Sequence, residues 1–181
     1  MRSLILATWL AVGALAVASP AEAQTRFSLL GGGLIPFSDL SDAADPGPRF
    51  GARLEYQPVN ALGQRRLISG FVEGAFAQLE LSSDFVDVDP SFDDPSVTTA
   101  SAGFRVYAEQ TAFFLQGGAG WLMYSPAAGD DLHGVDVHAG AGFLVEAPVL
   151  VEVDVTLHQA FGEDDLSLSY LVAQLGVSLP F

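Results

Sequence analysis

Leu171-Val172-Ala173-Gln174-Leu175-Gly176-Val177-Ser178-Leu179-Pro180-Phe181 decides how this chain is read. Its odd positions Leu171, Ala173, Leu175, Val177, Leu179 and Phe181 are apolar, whereas Tyr170, Gln174, Gly176 and Ser178 are small, polar or amphipathic. Successive side chains of a β-strand point to opposite faces, so this is a strand with two unlike faces. A row of large apolar side chains closed by an aromatic residue suits a strand set in lipid.

The same period of two recurs upstream. Eight runs show it: residues 25–35, 49–57, 67–79, 98–108, 112–124, 134–146, 149–160 and 168–181. Most are about ten residues long, the length a tilted strand needs to cross a bilayer. No apolar stretch among them has helical spacing. Eight antiparallel strands make the smallest common closed barrel. The expected fold is therefore all-β, an eight-stranded antiparallel up-and-down transmembrane β-barrel.

The connections alternate in character. The first, third, fifth and seventh gaps hold Asp39, Asp42 and Asp45, then Glu80, Asp84, Asp87, Asp89, Asp93 and Asp94, then Asp130 and Asp131, then Glu163, Asp164 and Asp165. The even gaps are residues 58–66, then Glu109-Gln110-Thr111, then Ala147-Pro148, and two of these three are tight turns. Long polar connections on one rim and short turns on the other are the pattern of a membrane barrel, with the short turns in the periplasm.

The beginning of the sequence agrees. A short basic start, Met1-Arg2, leads into an apolar run from residue 4 to residue 17, and Ser19-Pro20-Ala21-Glu22-Ala23 has small residues at the spacing a signal peptidase reads. Residues 1–23 are expected to be a cleaved signal peptide and residues 24–181 the barrel domain. The run is shorter than the roughly 20 residues of a spanning helix. There is no cysteine, so neither disulfides nor thiolate metal sites contribute. Removing residues 1–23 leaves six basic residues, all arginine, against 21 acidic ones, and the net charge stays at −15. A nucleic-acid partner is excluded for want of a basic patch to neutralise phosphates.

On these runs, gaps and terminal residues the chain resembles the small outer-membrane β-barrel family typified by OmpX and the OmpA membrane domain. The resemblance implies localisation in the cell outer membrane, contact with its lipid, and delivery by the barrel assembly machinery, for which Gln174, Gly176, Leu179 and Phe181 would be the terminal assembly signal. It further implies a structural, adhesive or stress-related surface role with little or no conductance, and no cofactor.

Alternation alone leaves open which face points outward. A secreted lipocalin-like barrel would turn the apolar row inward around a ligand. Two features favour the apolar row outside. The chain has no lysine, and its more polar faces carry Gly118, Gly120, Gly140, Gly142 and Gly176, which suit a narrow interior better than a watered surface. Trp121, Phe104, Phe143, Phe76, Tyr56 and Phe181 would then face lipid, with Trp121, Tyr56 and Phe181 as interfacial aromatics.

By that parity the lumen collects Arg53, Glu55, Glu73, Arg105, Asp136, His138, Glu152, Asp154 and His158. A network of Arg53, Glu73, Arg105, Asp136, Glu152 and Asp154 is expected to fill it, with Arg53 beside Glu73 and Arg105 opposite Glu73 on the next strand. Only two arginines enter this reading, which leaves carboxylates in excess. Pairing across Ala147-Pro148 sets His138 opposite His158, with Asp136 and Asp154 nearby, a set that could take a divalent metal or act as an acid/base pair. Ordinary lumenal polar residues are the plainer expectation for these histidines.

Some small outer-membrane barrels modify lipid A, yet no nucleophile with an evident base and orienter stands out: His158 has no adjacent serine, and Ser167 and Ser169 lie across a gap. The expected protein is not an enzyme. The acidic gap around Asp84, Asp87, Asp89, Asp93 and Asp94, with Pro90 and Pro95, reads as an exposed segment. It serves solubility, or captures divalent cations or a surface partner.

Overall fold

In a computed structural model the chain is an eight-stranded antiparallel barrel. The structure describes residues 23–37, 40–41, 44–58, 67–82, 94–108, 112–146, 149–162 and 167–180. Residues 1–22 of the expected signal segment, Phe181 and much of the acidic gaps lie outside them. The barrel strands are β1 (Ala23–Phe37), β2 (Gly47–Pro58), β3 (Ile68–Gln78), β4 (Ser96–Tyr107), β5 (Phe113–Ser125), β6 (Leu132–Glu146), β7 (Leu150–Gly162) and β8 (Ser167–Pro180). Each pairs with its sequence neighbours, and β1 closes on β8, so the sheet has no free edge to aggregate. The eight runs read from the sequence are these strands, several of them extended by a few residues at one or both ends.

Valine, leucine and phenylalanine on one parity and charged, hydroxyl or glycine residues on the other give each strand two incompatible faces, and closure assigns them. On β7 Val153, Val155 and Leu157 are exposed, whereas Glu152, Asp154, Thr156 and His158 are buried. The apolar row is outside. This removes the lipocalin-like alternative, in which Glu152 and Asp154 would face water. Phe50, Phe76, Phe104, Trp121, Phe143 and Phe161 also stand on the outer surface. Trp121 stacks on His133 at 5.6 Å, an aromatic pair near the rim that carries the long connections.

That rim is partly covered by the chain itself. Ala44–Asp45 forms a two-residue ladder with Glu80–Leu81, tying the first long connection to the second. Leu40, Ala44 and Leu79 are buried with Leu34, Val97, Leu122, Ala160, Leu168 and Val172 in one apolar cluster across the barrel's end. Gly129, at φ 104°, makes the left-handed turn between β5 and β6, a conformation a side chain would oppose. At the other end a smaller cluster joins Phe114, Leu144 and Leu150, with Tyr107 packed against it.

Candidate functional site

The inward face of β7 samples the barrel from one end to the other: Leu150 in the lower apolar cluster, Glu152 and Asp154 in a charged layer, Thr156, His158 in a histidine layer, and Ala160 in the upper cluster. A polar band is thus held between two apolar ones. Burial of charge in such a place requires partners, and the charged layer supplies them.

Arg53 lies directly opposite Glu73 in the β2–β3 register. Its Nε donates to Glu73 Oε2 at 2.7 Å and its Nη1 to Glu152 Oε1 at 2.7 Å. Arg105 Nη1 bridges Glu55 Oε2 at 2.9 Å and Glu152 Oε2 at 2.8 Å, its Nε donates to Gln116, and its guanidinium sits 4.2 Å over the Phe114 ring. Asp154 accepts from Gln116 and Gln174 and lies 3.6 Å from both Arg53 and Arg105.

Three features differ from the sequence reading. Arg105 is not opposite Glu73: the β3–β4 register pairs Arg105 with Ser69 and Glu73 with Ser101, and Arg105 reaches across the lumen to Glu55 and Glu152 instead. Arg26 and Arg49 are also buried inside, so four arginines, not two, meet the carboxylates. Arg26 donates to Glu55 at 2.8 Å and to the Tyr107 hydroxyl at 2.8 Å, while Arg49 donates to Glu73 at 2.6 Å and to Gln174. Asp154 belongs to this arginine layer and not to the histidines.

Both added arginines have the inward parity of their strands, Arg49 with Arg53 on β2 and Arg26 with Ser28, Leu30 and Leu34 on β1. What hid them is position, Arg49 at the first residue of its run and Arg26 at the second of its own, where a run's end reads as easily as a rim. Of the terminal residues, Gln174 is buried against Arg49 and Asp154, and Gly176 lies beside Glu152. The side chain of Leu179, and Phe181, lie outside the described residues.

The histidine layer is separate. His138 and His158 are paired across β6 and β7. Their Nδ1 atoms approach Asp136 Oδ2 at 3.2 and 3.0 Å, and the Tyr170 hydroxyl donates to Asp136 Oδ1 at 3.2 Å. Ser167 and Ser169 do not join them: the Ser169 hydroxyl donates to Gln159, whose amide donates to Ser167, on the outward parity of their strands. The arrangement has the parts of an ion site.

The outer wall makes its own demand. Val155 stands near the middle of β7 and is 46% exposed. An arginine there is expected to destabilise the barrel in vesicles by about 2–4 kcal/mol, the cost of a cation near the bilayer midplane. Urea unfolding in vesicles measures this, and a change within about 0.5 kcal/mol, as at a watered surface, would mean the wall does not face lipid.

The sequence matches no family model and no curated protein. Solved structures do match in shape. The attachment invasion locus protein Ail of Yersinia pestis superposes with a TM-score of 0.53 at 15% identity, over 87% of this chain and 99% of that one. Its backbone structure in a phospholipid bilayer nanodisc gives 0.51 at 13%, over 87% and 100%. Neisserial surface protein A gives 0.51 at 12%, over 89% and 98%. At such identities the likeness is one of architecture: with its apolar wall and closed ladder this chain has the eight-stranded β-barrel fold of these outer-membrane proteins.

Proposed function

We propose that this protein is an integral, non-enzymatic barrel of the bacterial outer membrane that displays acidic connections at the cell surface. The observation that carries this reading is the division of charge. All four arginines among the described residues are buried in the lumen, while the four long connections carry 14 acidic residues and no lysine or arginine. The barrel is a filled anchor, and the surface it presents is almost purely anionic. Such a surface suits divalent cations or a basic partner and repels polyanions. A lumen filled by its own side chains, with an apolar cluster at each end, suits an anchor better than a pore.

The same division provides a test on intact cells. Trypsin has no site in the surface connections, and the only arginines in the mature chain outside the buried four are Arg65 and Arg66, between β2 and β3. A protease that cuts after acidic residues should cleave the protein from outside, and trypsin should cleave only once the periplasm is opened. Tryptic cleavage on intact cells, or recovery of the protein in the soluble fraction, would refute the topology.

A further inference from the structure

The lumenal carboxylates among the described residues do not all pair with an arginine. Glu55, Glu73, Glu152 and Asp154 each lie within 3.6 Å of at least one of Arg26, Arg49, Arg53 and Arg105. Four cations thus meet four anions, and Asp136 is the fifth carboxylate. It is 0% exposed, and the groups on it are two imidazoles and a phenol. A buried carboxylate needs a compensating cation, and here that is either a protonated imidazole or an ion bound by the three side chains together.

We propose that Asp136, His138 and His158 bind one divalent first-row transition ion of the zinc type. One ligand atom from each of the three lies within 4.8 Å of the others. Both Nδ1 atoms are turned to the same carboxylate at 3.0–3.2 Å, close to the roughly 3.3 Å that separates ligand atoms on a tetrahedral ion with bonds of about 2.0–2.1 Å. The ladder that sets His138 opposite His158 fixes their spacing, and the His158 ring is held against Tyr170 by stacking at 4.6 Å. Imidazole nitrogen with carboxylate selects zinc, nickel, copper or iron over calcium and magnesium. The ion supplies the positive charge that the arginines leave missing. This inference is independent of the surface role, since it concerns only the interior.

The upper apolar cluster lies directly above the site, at Ala160 beside His158, so the ion is expected to enter as the barrel closes. The test is to refold the mature chain into detergent with an equivalent of Co2+ or Zn2+, remove loose metal on a chelating column, and measure metal per chain. About one ion per chain is expected, with a cobalt ligand-field band and a higher temperature for loss of the compact gel form than after refolding in EDTA. Asp136→Asn and His158→Gln should lose the ion, and His133→Gln, altered outside the site, should keep it. Retention below about half an equivalent by the unaltered chain overturns the proposal, whether or not the variants fold. So does retention that survives both site substitutions, or that disappears with His133.

Discussion

Replacing Arg105 with methionine is expected to destabilise the barrel by about 3–5 kcal/mol, the cost of removing one partner from a buried ionic cluster. Arg105 is 0% exposed and one of its nitrogens serves Glu55 and Glu152 together. Without it both carboxylates remain buried, Glu55 with Arg26 and Glu152 with Arg53, and the layer carries an uncompensated negative charge. Methionine fills much of the volume and rests on Phe114, so the loss reports charge more than cavity. Arg105→Lys should also be costly, because a single ammonium cannot span Gln116, Glu55 and Glu152 as the guanidinium fork does. If the penalty arises from the stranded charge, adding Glu152→Gln to Arg105→Met should restore stability relative to the single variant. Trp121 is the only tryptophan after residue 23, so its fluorescence follows urea unfolding in vesicles without further labelling. A single-variant loss under about 1 kcal/mol, or a double variant with no recovery, would show that the network does not hold the barrel together.

How much of this was readable in the sequence depends on what each feature needs. The period of two needs only neighbours in the chain, so the eight strands and the partition of β7 into Val153, Val155, Leu157 against Glu152, Asp154, His158 could be read directly. The same holds for His138 opposite His158, because the sequence leaves only Ala147-Pro148 between the two runs, too little chain for another register of β6 on β7. Arg105 shows where this stops. Between β3 and β4 lies a long connection, which leaves the register free, and the expected pairing with Glu73 was out of line with the observed Ser69. Contacts across the lumen are further still from the sequence: nothing local says that Arg105 meets Glu152, or that Gln174 meets Arg49. They arise from closure, which brings strands distant in sequence within one side chain's reach.

Closure also decides the second large effect. Gly140→Val is expected to abolish the folded barrel, while Gly31→Val folds like the unaltered protein. Both glycines sit in strand interiors, and valine is the better strand former at either. Their faces separate them. Gly31 points outward, and an added Cβ would meet nothing within 4 Å. Gly140 points into the lumen opposite Thr156, where a Cβ would run into the Val155 carbonyl and come within 2.7 Å of Thr156 Oγ1 and 2.8 Å of Thr156 Cα. The obstacle is backbone of the adjoining strand, so relief requires β7 to move away from β6 and the ladder to open. Ordinary overpacking costs about 1–3 kcal/mol where side chains can give way. A clash with a paired backbone should exceed that. Heat modifiability on a gel reads the outcome: unboiled Gly31→Val should migrate as the compact form, and Gly140→Val should run as unfolded chain at every temperature. A compact Gly140→Val barrel would mean that the interior is wider than this packing allows, and that the inward glycines are not what lets eight strands close around four arginines.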